Sequence, residues 1–516
     1  MVVERAIATP HWQATEAGKR ILARGGSAVD AAISAAAVLT VVYPHMVSIG
    51  GDAMALMAGE DGEIVAVNGT GAYARNARRE DISFRHAGQM PSYGVDAITV
   101  PGAVAAWQDM HTRSGRLAWA ELFSDAIALA RDGMAVAGAL SRDLESLKAG
   151  LVKDRGLRSL FFDSEGAPFG EGMIVRQPAL AETMTLIAEL GAAVLYGGSV
   201  GARLVDGLSR QGSALTLGDL SRHQTEFVQP ISQSYRGLEV VTTPPNSQGF
   251  VLLQILGALS RMGISGALGV ERAHQVARLF AASNAERSYL GEPTNMAVSV
   301  DELLSEEHIS LILNKVAQET RSAVEQSPRP TGDTVAIVAI DDRGEAVSLI
   351  QSVFFAFGSM ILEPSTGILM QNRGSSFTLE EGKAATLQPG VRPPHTLMPV
   401  MLRREGQLNA VLGTMGGPSQ AQIQAQLIQR LIDGEPPQHL VSQPRWVVGR
   451  YDGVHEDVVL AEARCSEDLR AELTKSGLPV AIGSEWDDRA GHSQVLLRNG
   501  MTVQVGTDPR ADAKVR

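Results

Sequence analysis

The sequence predicts an α+β fold in which helices pack outside a predominantly antiparallel system of sheets. Three observations predict it. Apolar residues recur at helical spacing through the first half of the chain, β-branched runs bounded by turn residues dominate after about residue 325, and a proline-rich connector separates the two regimes. The length of 516 residues allows two domains or one large layered body, and 53 glycines mark a turn-rich globular chain.

Taken in order, Thr9-Pro10 opens a helix whose apolar positions Ala14, Ala17, Ile21 and Leu22 share a face, and Gly25-Gly26 closes it. Ser27 caps a second helix through Asp30 to Val42, ended by Pro44. Its apolar stretch, about a dozen residues, is too short to cross a bilayer and reads as a buried helix. The spacing predicts further helices over residues 103–112, 119–131, 180–190 and 270–289. Ser327-Pro328-Arg329-Pro330 is the connector. It leads to a strand from Thr334 to Ile340, a turn at Asp341-Asp342-Arg343-Gly344 and a second strand from Ala346 to Phe354, a hairpin. Residues 408–413 and 495–505 also read as strands, the latter broken by an Asn499-Gly500 turn.

A net charge of −12, with no basic run longer than Arg78-Arg79, argues against a nucleic-acid or anionic-membrane partner. The single Cys465 can build neither a disulfide framework nor a zinc site. The start, Met1-Val2-Val3-Glu4-Arg5-Ala6, lacks the pattern of a secretory signal, so the expected location is cytoplasmic.

Asn68-Gly69-Thr70-Gly71-Ala72-Tyr73-Ala74 matches a dinucleotide fingerprint in letters only. Asn76, Arg78 and Arg79 interrupt any helix there, and no acidic residue ends a second strand about twenty residues on. Gly413-Thr414-Met415-Gly416-Gly417-Pro418 precedes a good helix, 420–432, without the Lys-Ser/Thr pair of a P-loop. Its glycine pair suits either a structural turn or a site whose N–H groups hold an anion. The 11 histidines show no metal-ligand spacing, and no G-x-S-x-G elbow occurs.

Gly332-Asp333-Thr334 at a strand entry is commonplace alone, but its surroundings are not. The stretch Gly332-Asp333-Thr334-Val335-Ala336-Ile337-Val338-Ala339-Ile340-Asp341-Asp342-Arg343-Gly344-Glu345-Ala346-Val347-Ser348 resembles the maturation site of the γ-glutamyltransferase family. Other stretches follow in that family's order: Arg24-Gly25-Gly26-Ser27-Ala28-Val29-Asp30-Ala31-Ala32, Ile49-Gly50-Gly51-Asp52, Thr99-Val100-Pro101-Gly102, Ala130-Arg131-Asp132-Gly133, Thr243-Pro244-Pro245-Asn246-Ser247-Gln248-Gly249, Phe357-Gly358-Ser359, Pro444-Arg445-Trp446 and Asp508-Pro509-Arg510. The resemblance covers nearly the whole chain.

It implies a four-layer α-β-β-α sandwich of antiparallel sheets, of the N-terminal nucleophile hydrolase kind, formed from two autoprocessed subunits. Self-cleavage between Asp333 and Thr334 would give a mainly helical large subunit, 1–333, contributing part of the sandwich. The small subunit, 334–516, would begin with the nucleophile Thr334. Such a threonine carries its own base, since its α-amino group titrates near pH 7.7–8.0 within reach of the hydroxyl. By the same resemblance Ser352 supplies a hydroxyl beside the nucleophile, and Gly416 and Gly417 hold the oxyanion.

Departures from the family bear on substrate. Thr70 stands where the transferases keep an Arg for the glutamyl carboxylate, and Ser376, before Phe377, where they keep an Asp for the α-amino group. His395-Thr396 replaces a paired-Ser motif. Gln371-Asn372-Arg373-Gly374 looks more like the subgroup of oxamate amidohydrolase and acylase-type relatives, with Arg373 either a ligand for a substrate carboxylate or carbonyl, or a structural Arg. The expected activity is hydrolysis of a small amide through a Thr-acyl intermediate, with no cofactor and no metal. The two subunits of one precursor are the expected partners, with a homo-oligomer of such heterodimers as an option. A true γ-glutamyltransferase or γ-glutamyl hydrolase, and a family member turned binding protein or biosynthetic enzyme cleaving another bond, are the alternatives.

Overall fold

Strands Asp333–Ile340 and Ala346–Phe354 pair as an antiparallel hairpin in a computed structural model that describes residues 3–264, 266, 268–318, 333–450 and 457–513. Gly344, at φ 85°, closes the turn with its N–H on the Asp341 carbonyl. The Asp341 carboxylate accepts from the N–H groups of Arg343, Glu345 and the distant Ala28, and pairs with Arg116. The turn is thereby tied to the N-terminal helices. The Ser327–Pro330 connector and Gly332 lie outside the described residues.

The hairpin sits inside a six-stranded antiparallel sheet whose order is Ala6–Ala8, Asp333–Ile340, Ala346–Phe354, Asp52–Ala58, Ile64–Gly69 and Glu226–Val228. A second six-stranded antiparallel sheet runs Thr502–Thr507, Ser493–Asn499, Gln407–Thr414, Val400–Arg404, Leu238–Thr242 and Ile231–Tyr235. Period-two alternation assigns the faces. Val335, Ile337 and Ala339 join a core with the helix Ala28–Val42, while Val338 and Ile340 pack against Val241, Met401, Val411 and Leu496 of the second sheet. Val240, Leu402, Ala410 and Leu412 turn outward to the helices Gly249–Arg261, Ala273–Ala285 and Gln420–Ile432. The result is the four-layer α-β-β-α sandwich.

Helix Ala28–Val42 is buried on every side, so its sequence is apolar all round, and a capping box between Ser27 and Asp30 satisfies its first turn. Helices Trp12–Ala23, Ala103–Ser114 and Pro178–Leu190 match expectation. Residues 119–131 divide into a 3-10 segment, Trp119–Phe123, and the helix Ser124–Asp132. Residues 270–289 likewise give Ala273–Ala285 followed by a 3-10 turn.

The first half is less helical than its spacing suggests, because it supplies strands to both sheets. Asp52–Ala58, reading DAMALMA, shows no polar alternation since both of its faces are covered. A small sheet of Trp446–Gly449, Val458–Ala461 and Val480–Ile482 contains a parallel pair. Segments before and after Thr334 interleave in both sheets and in all three large cores. Among the described residues no helix is long and apolar enough to cross a membrane.

Candidate active site

Sheet register decides what stands beside Thr334. Ser352 is its direct partner on the next strand, and Asp52 is the partner of Ser352 on the strand beyond. All three belong to the face that looks toward the second sheet, so they form a polar row at the mouth of the sandwich. The row beneath is Ala336, Ile350 and Met54, which with Leu397 makes an apolar floor.

Ser352 uses its whole hydrogen-bonding capacity in this row. Its hydroxyl donates to the Asp333 carbonyl at 2.5 Å, and its oxygen accepts from Thr334 Oγ1 at 3.2 Å and from the Phe354 N–H at 2.7 Å. A bulge between Ser352 and Phe354, with Phe354 at φ 83°, turns that N–H back onto the hydroxyl. Asn372 stabilises the bulge, its N–H donating to the Val353 carbonyl and its Oδ1 accepting from the Phe355 N–H. The Asp333 carboxyl is pushed well above the usual carboxylate range by burial and by the neighbouring Asp143 and Asp488.

Opposite this row lies the glycine loop. Gly413, the next-to-last residue of its strand, packs so closely on Ala336 and Ile350 that a Cβ would come within 2.9 Å of the Ala336 methyl. The chain then continues through Gly416 at φ 138° and Gly417 at φ 50° into helix Gln420–Ile432. Among the described residues neither glycine N–H donates to a protein acceptor. Gln248 fixes the loop, its amide donating to the carbonyls of both Gly417 and Thr396 at 2.9 Å.

Arg373 is buried, with its guanidinium 3.7 Å over the ring of Phe354. Among the described residues its two terminal nitrogens reach only Thr396 Oγ1, both at 3.4 Å, and its Nε has no partner. Burial pushes it down to about 9, against the pull of Asp52, so it is charged at neutral pH. A buried cation with most donors unused is equipped for an anion or carbonyl from outside the chain. Thr70 is occupied differently. Its hydroxyl donates to Asn68 at 2.7 Å and accepts from Asn246, whose carbonyl in turn receives the His395 N–H. Ser376 is half-buried at the end of the turn that Arg373 begins, and among the described residues no hydrogen bond joins it to the Thr334 row.

Asp52 was legible in Ile49-Gly50-Gly51-Asp52 only as part of a motif, and the structure gives it a place. Its Oδ1 accepts the N–H groups of Gly71 and Gly102 at 3.1 Å, and its Oδ2 lies 3.2 Å from His395 Nε2. Because His395 Nδ1 accepts the Leu397 N–H, Nε2 carries the proton and donates to Asp52. Burial, reinforced by Arg373, holds His395 neutral. The motif glycines are there for close approach: a Cβ on Gly51 would meet the Ser352 carbonyl at 2.4 Å, and one on Gly102 the Gly69 carbonyl at 2.1 Å. The signal that could have singled out Asp52 is an acid directly after a glycine pair at the start of an otherwise apolar strand.

A family profile described as Gamma-glutamyltranspeptidase matches residues 14–516. The chain belongs to this family. Over 518 aligned residues it is 35% identical to the Glutathione hydrolase-like YwrD proenzyme of Bacillus subtilis, covering 99% of this chain and 97% of that one. It is 34% identical to the Oxamate amidohydrolase proenzyme of Klebsiella pneumoniae, covering 98% and 96%. The crystal structure of cephalosporin acylase from Bacillus halodurans superposes with a TM-score of 0.88 at 31% identity, over 100% of this chain and 96% of that one. The four-layer sandwich is thus the fold of this family member.

Two family motifs far apart in sequence turn out to be structural. Arg445 of Pro444-Arg445-Trp446 and Arg510 of Asp508-Pro509-Arg510 share the buried Asp508, and Arg510 also pairs with Glu462. The network ties the end of the last strand to the small sheet of Trp446–Gly449 and Val458–Ala461.

Proposed function

We propose that this protein is a self-processing amidohydrolase whose nucleophile is Thr334. The observation that carries the reading is the Thr334–Ser352 hydroxyl pair with the Ser352 proton already on the Asp333 carbonyl. In self-cleavage Thr334 Oγ1 attacks that carbonyl carbon, its proton is delivered to the Thr334 amide nitrogen, and the Ser352 hydroxyl donates to the developing oxyanion. The C–N bond breaks, leaving an ester on Thr334 and a free α-amino group. Water then hydrolyses the ester and releases Asp333 as a carboxylate. In turnover the freed α-amino group takes the Thr334 proton, the N–H groups of Gly416 and Gly417 hold the oxyanion, and the same amine returns the proton to the departing nitrogen. Water completes the cycle by cleaving the acyl-Thr334 ester.

The substrate reading rests on the anchors. A γ-glutamyl head needs a cation for its carboxylate and an anion for its ammonium, and Thr70 and Ser376 supply neither. Arg373 supplies one cation, suited to oxamate or to a dicarboxylic half-amide such as a glutaryl group. The names of the relatives, oxamate amidohydrolase and cephalosporin acylase among them, agree with amides of this kind. Cytoplasmic residence is part of the reading, consistent with one free, buried Cys465.

The test is to mix matured enzyme with a glutaryl anilide, quench in acid and weigh the small fragment. A gain of one glutaryl group, mapped to Thr334, is expected. A fragment of unchanged mass during steady turnover, or an adduct on another residue, would overturn the proposal.

A further inference from the structure

We infer that Asp52 is the positioning residue that sets the charge preference of the acyl site, holding Arg373 ready for a substrate carboxylate through His395-Thr396. This rests on Arg373 being the substrate anchor.

Three observations carry it. Arg373 is a buried cation, and no carboxylate lies within ion-pairing distance of it among the described residues, so it is anchored by an aromatic face and one hydroxyl. That hydroxyl belongs to Thr396, whose neighbour His395 is fixed by Asp52 Oδ2 on one ring nitrogen and the Leu397 N–H on the other. Asp52 is itself immobilised by the N–H groups of Gly71 and Gly102, so one carboxylate fixes three segments around Arg373. When ionised, it is also the anion whose field favours the charged form of Arg373.

Geometry separates this role from the hydrolytic one. Asp52 makes no hydrogen bond to Ser352 or Thr334, although register places it beside Ser352. Asparagine at this position keeps an acceptor for the glycine N–H groups. It loses the charge and, with its oxygen on those N–H groups, turns its amide nitrogen, a second donor, toward His395 Nε2–H.

The experiment compares a glutaryl anilide with the neutral valeryl anilide of the same five-carbon chain on matured wild type, Asp52→Asn, Asp52→Glu, Arg373→Ala and the Asp52→Asn/Arg373→Ala double variant. The ratio of kcat/KM for glutaryl over valeryl should fall about tenfold in Asp52→Asn, with the loss in KM for the glutaryl substrate, and should recover partly in Asp52→Glu. In the Arg373→Ala background Asp52→Asn should change the ratio no further. Equal losses on both substrates, additive effects in the double variant, or a ratio unmoved by Asp52→Asn would each overturn the proposal. So would failure of both Asp52 variants to mature, since Asp52 would then serve folding. A ratio unmoved by Arg373→Ala itself would instead remove the anchor reading on which the inference rests.

Discussion

The hydroxyls of Thr334 and Ser352 stand 3.2 Å apart on neighbouring strands in direct register, and Ser352 has committed its own proton to the Asp333 carbonyl. Ser352→Ala removes that donor and the acceptor of the Thr334 proton together. Maturation and turnover should each slow by about 10²-fold. Loss of the partner for the Phe354 N–H should cost stability of about 1–3 kcal/mol. Ser352→Thr should recover most of the rate. Band intensities on a denaturing gel over time give the maturation rate, and an unchanged kcat would make Ser352 a structural residue.

Gly416 combines φ 138° with a space in which a Cβ would lie 2.6 Å from Ile423 Cδ1. Gly416→Ala should therefore move the N–H groups of the loop and lower kcat by about 10²-fold. KM should change less, because the loop is proposed to bind the oxyanion of the transition state. A variant with wild-type kcat would remove the loop from the oxyanion hole.

Thr70 and Ser376 predict discrimination against an α-amino acid head. On matured enzyme, kcat/KM for a γ-glutamyl anilide should fall below that for the glutaryl anilide by at least about tenfold, the cost of an ammonium left without a partner. Added glycylglycine should leave the rate nearly unchanged. Efficient γ-glutamyl turnover accelerated by the dipeptide would instead mark a transferase.

Burial, opposed by Arg373, raises the Asp52 carboxyl from 3.8 to about 7. Between those values the folded chain holds a proton that the unfolded chain releases, so the contribution of Asp52 to stability is greatest below about pH 4 and falls until about pH 7. Urea unfolding of unprocessed Thr334→Ala, with and without Asp52→Asn, measures it. The parent should lose stability relative to the Asn variant across that window and hold a constant difference above it. A difference independent of pH, or one moving in the parent's favour, would contradict the assignment.

Much of the fold was legible because its signals are local. The hairpin from Thr334 to Phe354 announces itself by β-branched runs around Asp341-Asp342-Arg343-Gly344, and helix Ala28–Val42 by its cap and its apolar run. The strand Asp52–Ala58 was missed because it is covered on both faces and carries no alternation. The site divides in the same way. Ser352 and the glycine pair follow from motif position. The chain from Asp52 through His395-Thr396 to Arg373 joins residues hundreds of positions apart, and only sheet register and loop packing bring them together.

The mass of the purified chain tests the central claim most directly. Self-cleavage between Asp333 and Thr334 predicts two fragments, the smaller beginning with Thr334, with Thr334→Ala remaining one chain. A wild-type chain that stays intact after long incubation yet hydrolyses amides would contradict the account, as would a small fragment starting at any other residue or a Thr334→Ala chain cut at the same bond.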